Sequence, residues 1–286
     1  MFINEASKLS GLTKKAIEYY IQKDLINPEI LENSYRNFSN NDLEKLKKIK
    51  ILRALDLSVE EIKIILNNEE DDYLNRLALR REFKCESENL KNELLQRLAN
   101  EASYESISED LRAIEKKLTI QERLLEVFPG LLGRFLTLNF GVFLNECIET
   151  KEQQKAYEDI IEFLDNMPKL NLPSELKEYY EESTKFFKNS QIKDMIENKN
   201  RAVKEPAAFL KDNENLIEEY LEYKNSEEYK NSEAFKIHEI MKEFMNTSGY
   251  NEIFLESMRK LSKSYDEYYK KMLIANEKLL EKYDLE

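Results

Sequence analysis

The 286-residue chain has no tryptophan, a single histidine and only two cysteines. Cys85 and Cys147 lie far apart, so they form neither a disulfide framework nor a closely spaced zinc-binding pair. His238 has no serine or cysteine at a spacing that suggests a nucleophile and its base, and no glycine-rich phosphate-binding loop is present. We therefore predict that the protein is not an enzyme and has no catalytic residues, no cofactor and no metal site.

Glycine and proline are also scarce, with five of each. Few turn residues and no regular alternating strand pattern favour long helices. The longest weakly charged run, residues 127–144, is interrupted by proline, glycine and arginine, and is too short to cross a membrane. No secretory signal precedes the first polar helix. We expect a mainly α-helical, cytoplasmic protein without a membrane segment.

Positive charge is concentrated at one end of an acidic chain. The net charge is −13, yet residues 1–53 carry ten Lys and Arg against seven Asp and Glu, a local charge of +3. The remaining residues therefore carry −16. This distribution suits a protein that contacts DNA at one end while the acidic body repels it, although chance unevenness is an alternative.

The first residues predict a short helix followed by a tight turn. Asn4 is a candidate N-cap for a helix that runs to about Leu9 and buries Ile3, Ala6 and Leu9. Gly11 stands where a turn between two helices needs a residue that tolerates positive φ. This pattern is typical of a helix-turn-helix.

The second predicted helix has the features of a DNA recognition helix. Thr13 is its expected N-cap, because a threonine hydroxyl can accept from exposed backbone amides of the first turn. Lysines and backbone amides at such a helix start bind phosphates, and a tyrosine can donate to a phosphate or pack on a sugar. Lys14, Lys15 and Tyr19 are expected to face outward, and Ala16, Ile17 and Tyr20 inward. The alternative is an ordinary solvated pair of amphipathic helices.

A short hairpin and two further helices follow. Residues 33–38 contain the sequence Tyr35-Arg36-Asn37, which predicts a wing that contacts phosphates. Ser39 with Asp42, and Ser58 with Glu61, have the spacing of capping boxes that start the next two helices. The apolar residues expected on their inner faces are Leu43, Leu46, Ile49, Leu52, Ile62, Ile65 and Leu66.

The order "INEASKLSGLTKKAIEYYIQKDLI…YRNFSNNDLEKLKKIKILRALDLSVEEIKIIL" resembles the N-terminal domain of MerR-family transcriptional regulators. This resemblance implies a winged helix-turn-helix that binds a pseudo-palindromic double-stranded promoter as a homodimer, with RNA polymerase as a further partner. It places DNA contacts at Thr13, Lys15, Tyr19, Tyr35 and Arg36. With neighbouring polar residues, the candidate DNA-binding set is Thr13, Lys14, Lys15, Tyr19, Tyr20, Tyr35, Arg36 and Asn37.

Two positions depart from the family pattern. Glu18 stands before the Tyr-Tyr pair, where the family usually has an arginine that contacts phosphate. A carboxylate there repels phosphate unless it turns toward Lys14 or Lys15. Lys23-Asp24-Leu25 replaces the usual Lys-Gly-Leu turn. Both departures put the detailed contacts in doubt, and neither removes the module.

We divide the chain into residues 1–70, 71–120 and 121–286. The first is the DNA-binding domain. After an acidic break at residues 69–72, leucines and isoleucines at three- and four-residue steps predict a coiled-coil-like helix interrupted around residues 101–106. The resemblance implies antiparallel pairing of this helix between two subunits, and packing onto its own C-terminal domain is the alternative. Metal-sensing members carry a cysteine near the start of this helix, but beyond Cys85 the chain offers only Cys147 and His238 as cysteine or histidine ligands, so we expect a plain surface or interface thiol.

Residues 121–286 are predicted to form an α-helical bundle that binds an effector. The last helix is expected to span about thirty residues, with an apolar stripe from Phe254 to Tyr283. The segment 128–143 is rich in phenylalanine and glycine and holds isolated polar groups. It is consistent with a small-molecule pocket or with a well-packed core helix. The candidate effector residues are Arg134, Phe135, Asn139, Phe140 and Phe143.

These features and the resemblance favour a DNA-binding transcriptional regulator that responds to a small hydrophobic effector. The resemblance implies that effector binding makes the dimer bend and untwist promoter DNA. The thirty tyrosines and phenylalanines in an acidic chain suggest a hydrophobic cation as one possible effector. Two alternatives stay open. One is a constitutive DNA-binding repressor or architectural protein, and the other is a helical small-molecule-binding protein with a weakened DNA module.

Overall fold

The computed structural model describes residues 1–67, 72–128, 130–168 and 170–284. The chain divides into two compact units, Met1–Leu74 and Asn75–Glu286. The predicted boundary at residues 70 and 71, most of the acidic break and Pro129 of the phenylalanine-rich segment lie outside the described residues. Each unit is described separately below.

The first unit consists of helices and a two-stranded antiparallel sheet. Its elements are α1 (Ile3–Ser10), α2 (Lys14–Gln22), β1 (Glu29–Ile30), β2 (Arg36–Asn37), α3 (Asn40–Ala54) and α4 (Val59–Asn67). In the sheet, Ile30 lies opposite Arg36. Helix α1 packs against α2 and α3, and α3 packs against α4. The predicted helices with a small β wing are confirmed.

Side-chain caps start three of these helices as the sequence predicts. Thr13 Oγ1 accepts a hydrogen bond of 3.1 Å from the backbone nitrogen of Ala16. Ser39 and Asp42 form a complete capping box. Ser58 and Glu61 do the same, with hydrogen bonds of 2.6 and 3.1 Å. Since each such cap contributes about 0.5–2 kcal/mol, local sequence contributes much to where these helices begin.

The prediction for α1 was wrong in two details. The N-cap is Phe2 and not Asn4. Ala6 is buried as expected, but Leu9 is 51% exposed and Ser10 is buried instead. Ala6 and Ser10 are four residues apart and share a face of the helix, whereas Leu9 lies about 100° around the axis from Ser10. The prediction from apolar character alone therefore placed the buried face of α1 at Leu9, one residue before the buried Ser10.

The second unit is helical in its described residues. Its elements are α5 (Tyr73–Ala99), which starts at the end of the first unit, α6 (Tyr104–Val127), α7 (Gly130–Gly141), α8 (Lys151–Asn166), α9 (Ser174–Thr184), α10 (Asn189–Lys204), α11 (Pro206–Asp212), α12 (Glu214–Asn225), α13 (Glu227–Lys230), α14 (Glu233–Thr247), a π-helical turn (Tyr250–Leu255), α15 (Glu256–Leu261) and α16 (Lys263–Tyr283). Within the described ranges, no helix has the length and apolar character needed to span a bilayer.

The predicted region 71–120 holds most of the helical hairpin formed by α5 and α6. The chain turns at residues 100–103, where Glu101 has a φ of +65°, and this is close to the predicted interruption. Leu79 and Phe83 of α5 pack against Leu125 of α6. Part of the apolar stripe of α5 is therefore covered by the chain's own second unit. Pairing of this helix between two copies stays a prediction.

The main core of the second unit is aromatic and lies where α6, α7, α8, α15 and the π-helical turn meet. The ring of Phe140 contacts Phe254 edge-on at a centroid distance of 5.0 Å and Tyr265 at 5.4 Å. Phe254 is fully buried. Edge-to-face pairs of this kind each add about 0.5–1.5 kcal/mol beyond the burial of their area.

The expected final helix of about thirty residues is interrupted at Ser262, so that prediction was wrong. Ser262 has φ −126° and ψ 117°, which ends α15 and makes Ser262 the N-cap of α16. A long-range contact holds this break. Glu146 accepts hydrogen bonds from the Ser262 hydroxyl at 2.9 Å and from the Lys263 backbone nitrogen at 2.9 Å. The apolar spacing continues through the break, so periodicity alone did not predict it.

Because the Glu146 carboxylate accepts hydrogen bonds at the start of α16, we expect its contribution to the free energy of unfolding to depend on pH. Burial alone would raise the pKa of its carboxyl, but hydrogen bonds from Ser264, Ser262 and Lys263 outweigh burial and hold the pKa below the usual 4.5. Because the folded-state pKa is depressed, this contribution is present above the unfolded-state value and is lost as pH falls through the folded-state value. Glu146→Ala should lower the free energy of unfolding by about 1–2 kcal/mol at pH 7.

Urea unfolding followed by circular dichroism at pH 7 and at pH 3.5 measures this effect. The difference between wild type and Glu146→Ala should shrink at the lower pH. Glu149→Ala is the matched control, because Glu149 is a nearby exposed glutamate. An equal destabilisation of Glu146→Ala at both pH values would contradict the assignment.

Candidate nucleic-acid interface

The start of α2 concentrates positive charge at a helix N-terminus. Lys14 and Lys15 form the first turn and are exposed, and no acidic residue lies in that turn. Free backbone amides at the start of a helix carry partial positive charge and bind phosphate oxygens. Two ammonium groups beside them add to the attraction for a polyanion.

The two tyrosines of α2 have different places. Tyr19 is 43% exposed and Tyr20 is 7% exposed, with the ring centroids 5.7 Å apart. The ammonium of Lys23 lies 5.9 Å from the centroid of Tyr19. Tyr19 therefore presents a hydroxyl and a ring to solvent next to a positive charge. Tyr20 belongs to the core, and any part it has in DNA binding is to position Tyr19.

The wing presents Tyr35 and Arg36 on a well-defined turn. The turn closes by a 2.9 Å hydrogen bond from the Leu31 nitrogen to the Tyr35 oxygen. The Asn33 side chain accepts from the Tyr35 nitrogen at 3.1 Å. Ser34 between them has a φ of +64°. The backbone under the exposed Tyr35 and Arg36 side chains is thus fixed by local hydrogen bonds.

Asn37 and Phe2 support the wing. Asn37 donates from its amide nitrogen to Glu29 Oε2 at 3.1 Å and accepts from the Met1 nitrogen at 2.9 Å. Both ends of its side chain therefore have partners within this unit. Phe2 packs edge-on against Tyr35 with ring centroids 6.0 Å apart. The sequence analysis missed Phe2, because nothing local links it to a residue 33 positions later.

Helix α2 and the wing border a common surface depression. Glu18 of α2 lines it together with Tyr35 and Arg36 of the wing. The depression therefore combines positive, aromatic and negative groups, and Glu18 is exposed. The structure brings the wing and one edge of α2 together, and it places a carboxylate between them that opposes phosphate binding.

The second departure from the family pattern has a clear structural solution. Asp24 adopts a φ of +56°, the conformation that glycine takes most easily. The Leu25 nitrogen donates to the Tyr20 oxygen at 3.0 Å, which closes the end of α2. Aspartate tolerates the left-handed region better than most residues. The turn is therefore kept without glycine.

The predicted effector residues all lie on or just after α7, and most of them contact other protein groups. Arg134 is completely buried, and its Nη1 donates to the Phe187 oxygen and to Asn189 Oδ1, both at 2.9 Å. Phe140 is in the aromatic core, and Phe143 contacts Tyr265 at a centroid distance of 5.3 Å. These contacts fit a packed core helix, the alternative stated for this segment, and the effector role of these residues stays a prediction.

A cation does lie among these aromatic residues, and it belongs to the protein. The ammonium of Lys199 is 5.8 Å from the Phe135 centroid, 5.6 Å from the Tyr268 centroid and 3.1 Å from Asn139 Oδ1. Burial lowers the pKa of Lys199 below the usual lysine value. Two of the candidate effector residues, Phe135 and Asn139, therefore contact a lysine side chain of the same chain.

Among the described residues, neither cysteine belongs to a cluster of potential metal ligands. Cys85 is exposed and accepts a weak hydrogen bond from Asn89 at 3.9 Å. Cys147 is half-buried, and its thiol donates to the Glu109 oxygen at 3.9 Å. Burial raises the pKa of the Cys147 thiol above its usual value, so it stays protonated near neutral pH. In the described part of the chain, no three side chains of the usual metal-binding types converge.

Residues 1–69 match the family described as "MerR HTH family regulatory protein". Heavy metal-dependent transcription regulator 1 of Rhizobium meliloti (strain 1021) is 33% identical over 126 residues, which cover 43% of this chain and 74% of that protein. The chain belongs to the MerR family. Regulators of this family bind DNA and act as dimers.

Other relatives match about a quarter to a half of the chain. Heavy metal-dependent transcription regulator 2 of the same organism is 46% identical over 67 residues, 23% of this chain and 46% of that protein. The transcriptional activator mta of Bacillus subtilis (strain 168) is 24% identical over 130 residues, 45% of this chain and 46% of that protein. The chain thus spans about half the length of several curated relatives that it matches. No solved structure matches it.

Proposed function

We propose that the protein is a transcriptional regulator that binds promoter DNA as a homodimer and responds to a small molecule. The observation that carries this proposal is a group of exposed side chains on the first unit. Lys14, Lys15 and Tyr19 lie on α2, and Tyr35 and Arg36 lie on the wing. These are residue types that bind phosphates, and family membership supports the same interpretation.

The proposed site has a core of four side chains and a set of supporting residues. Lys15, Tyr19, Tyr35 and Arg36 contact the DNA backbone. Thr13 caps α2, Lys14 adds charge, Tyr20 packs behind Tyr19, and Asn37 ties the strands of the wing together. Glu18 weakens the net attraction to phosphate. The site therefore binds more weakly than one with an arginine there.

The proposed mechanism acts on the shape of the DNA. Two wings and two recognition helices of a dimer hold the duplex at separated points. A change in their spacing then bends or untwists the DNA between them. Deforming a site of 20–30 base pairs costs on the order of 1–6 kcal/mol, which a set of charged phosphate contacts can offset. Realigned promoter elements would then be bound productively by RNA polymerase, the second proposed partner.

Fluorescence anisotropy with a labelled duplex from the region upstream of the protein's own gene tests the proposal. An unrelated duplex of equal length is the control. We expect saturable binding with two protomers per duplex, and an association constant that falls steeply and linearly with salt on logarithmic axes. Failure to bind either duplex at low ionic strength would refute DNA binding. Equal affinity for both duplexes would leave only a nonspecific DNA-binding protein.

A further inference from the structure

The hairpin of α5 and α6 contains a cavity of about 260 Å³ that the proposed DNA interface does not use. All of its lining residues belong to the second unit. Most of its wall area is apolar and comes from six side chains, Phe83, Leu90, Leu94, Ala113, Ile114 and Leu118, while the other eight lining residues are polar or charged. Apolar walls combined with polar groups that fix orientation are characteristic of small-molecule sites.

One polar group in this cavity has an unmet hydrogen-bonding capacity. Ser87 is only 6% exposed and lines the cavity. Within the described residues, its hydroxyl oxygen is buried without a hydrogen-bond partner. Leaving a buried hydroxyl unpaired is costly, and such groups in native proteins call for a specific explanation. A rotation about its Cα–Cβ bond would turn the hydroxyl toward the cavity, where a ligand hydroxyl or amide would supply the partner.

Charged residues that line the cavity limit what can enter. Glu86 pairs with Lys117 at 2.8 Å, and Arg97 pairs with Asp110 at 2.6 Å. Both ion pairs join α5 to α6. Glu93 also lines the cavity, so the five groups have a formal charge of −1. An anion is disfavoured by this charge. A helix from a second copy, about 10 Å wide, is too large for a cavity of about 260 Å³.

We propose that this cavity binds a small, uncharged and mainly apolar molecule that carries one hydroxyl or amide group. The apolar part contacts the leucine and phenylalanine walls, and the polar group exchanges a hydrogen bond with Ser87. That such a ligand acts as the effector rests on the proposed function. Helix α5 starts at the end of the DNA-binding unit, so a ligand that changes the separation of α5 and α6 acts on the helix that leaves that unit.

Three related probes test the cavity in the full-length protein without DNA. These are 3-phenylpropan-1-ol, propylbenzene and 3-phenylpropanoate, measured by ligand-observed NMR and isothermal titration calorimetry. We expect the alcohol to bind about three- to tenfold more tightly than the hydrocarbon, and the carboxylate to bind least. Ser87→Ala should remove the preference for the alcohol, whereas the exposed Ser108→Ala should keep it.

A cavity-filling variant separates this site from any other. Ala113→Leu should reduce binding of the alcohol and the hydrocarbon at least tenfold, while Ala78→Leu, at an exposed position on α5, should leave it unchanged. No saturable binding of either probe, or binding unaffected by both Ala113→Leu and Ser87→Ala, would overturn the proposal. Because these measurements contain no DNA, that outcome would leave the proposed DNA binding standing. Loss of DNA binding would equally leave the cavity site standing.

Discussion

Arg36→Ala is expected to weaken binding of the promoter duplex by roughly 10- to 100-fold. Arg36 lies on the exposed edge of the wing, directly after Tyr35, and the turn that carries it is held by backbone hydrogen bonds. A charge-assisted hydrogen bond to phosphate contributes more than a neutral one, and a dimer would lose two of them. Anisotropy titrations at several salt concentrations measure the loss.

The salt dependence distinguishes a phosphate contact from a general loss of structure. If Arg36 neutralises one phosphate in each protomer, the logarithmic slope with salt should fall by about 2 for the dimer. Arg36→Lys should retain most of the slope, because it keeps the charge. Arg112→Ala, at an exposed position on α6, is the control for removing an arginine elsewhere. An unchanged slope and affinity would remove the wing from the proposed interface.

The local part of the fold was predictable because its signals are short-range. Thr13, the Ser39–Asp42 box and the Ser58–Glu61 box each satisfy backbone groups within three residues of themselves. Gly11 takes the positive φ that the interhelical turn needs. Such signals depend on chain neighbours alone, so one sequence is enough to place them.

Long-range features were missed for the opposite reason. The break at Ser262 depends on Glu146, which lies 116 residues earlier in the sequence. The packing of Phe2 on Tyr35 joins the start of the chain to the wing. The spacing of apolar residues predicted neither the exposure of Leu9 nor the helix break at Ser262. Periodicity identifies one face of a helix but not the element that packs against that face.

The predicted effector segment illustrates a different limit. Sequence composition identified phenylalanines, Arg134 and Asn139 as an unusual group, and the structure buries Arg134, Asn139 and Phe140 on α7. It also supplies Lys199 as the cation among them, from a helix about 60 residues away. Composition can therefore point to a cluster of unusual side chains. It cannot tell whether the group that completes the cluster comes from a ligand or from the same chain.

Arg134→Ala should lower the free energy of unfolding of the second unit by about 3–5 kcal/mol. The side chain is fully buried and joins α7 to the Phe187 carbonyl and the Asn189 side chain. Truncation leaves both acceptors without this donor and opens a cavity the size of most of an arginine side chain. Hydrogen exchange measured by mass spectrometry should show lost protection in peptides from α7 and α10. Peptides from α3 should keep their protection.

The same variant separates a structural Arg134 from one that binds an effector. A residue whose main role is to hold α7 in place destabilises the surrounding helices when truncated, whether or not a ligand is present. A residue that mainly faces a ligand would leave protection nearly unchanged and would alter only the response to that ligand. Arg134→Lys should recover part of the protection, because its ammonium keeps the charge and can reach one of the two acceptors. Full protection in Arg134→Ala would contradict the structural role and favour the effector role predicted for Arg134.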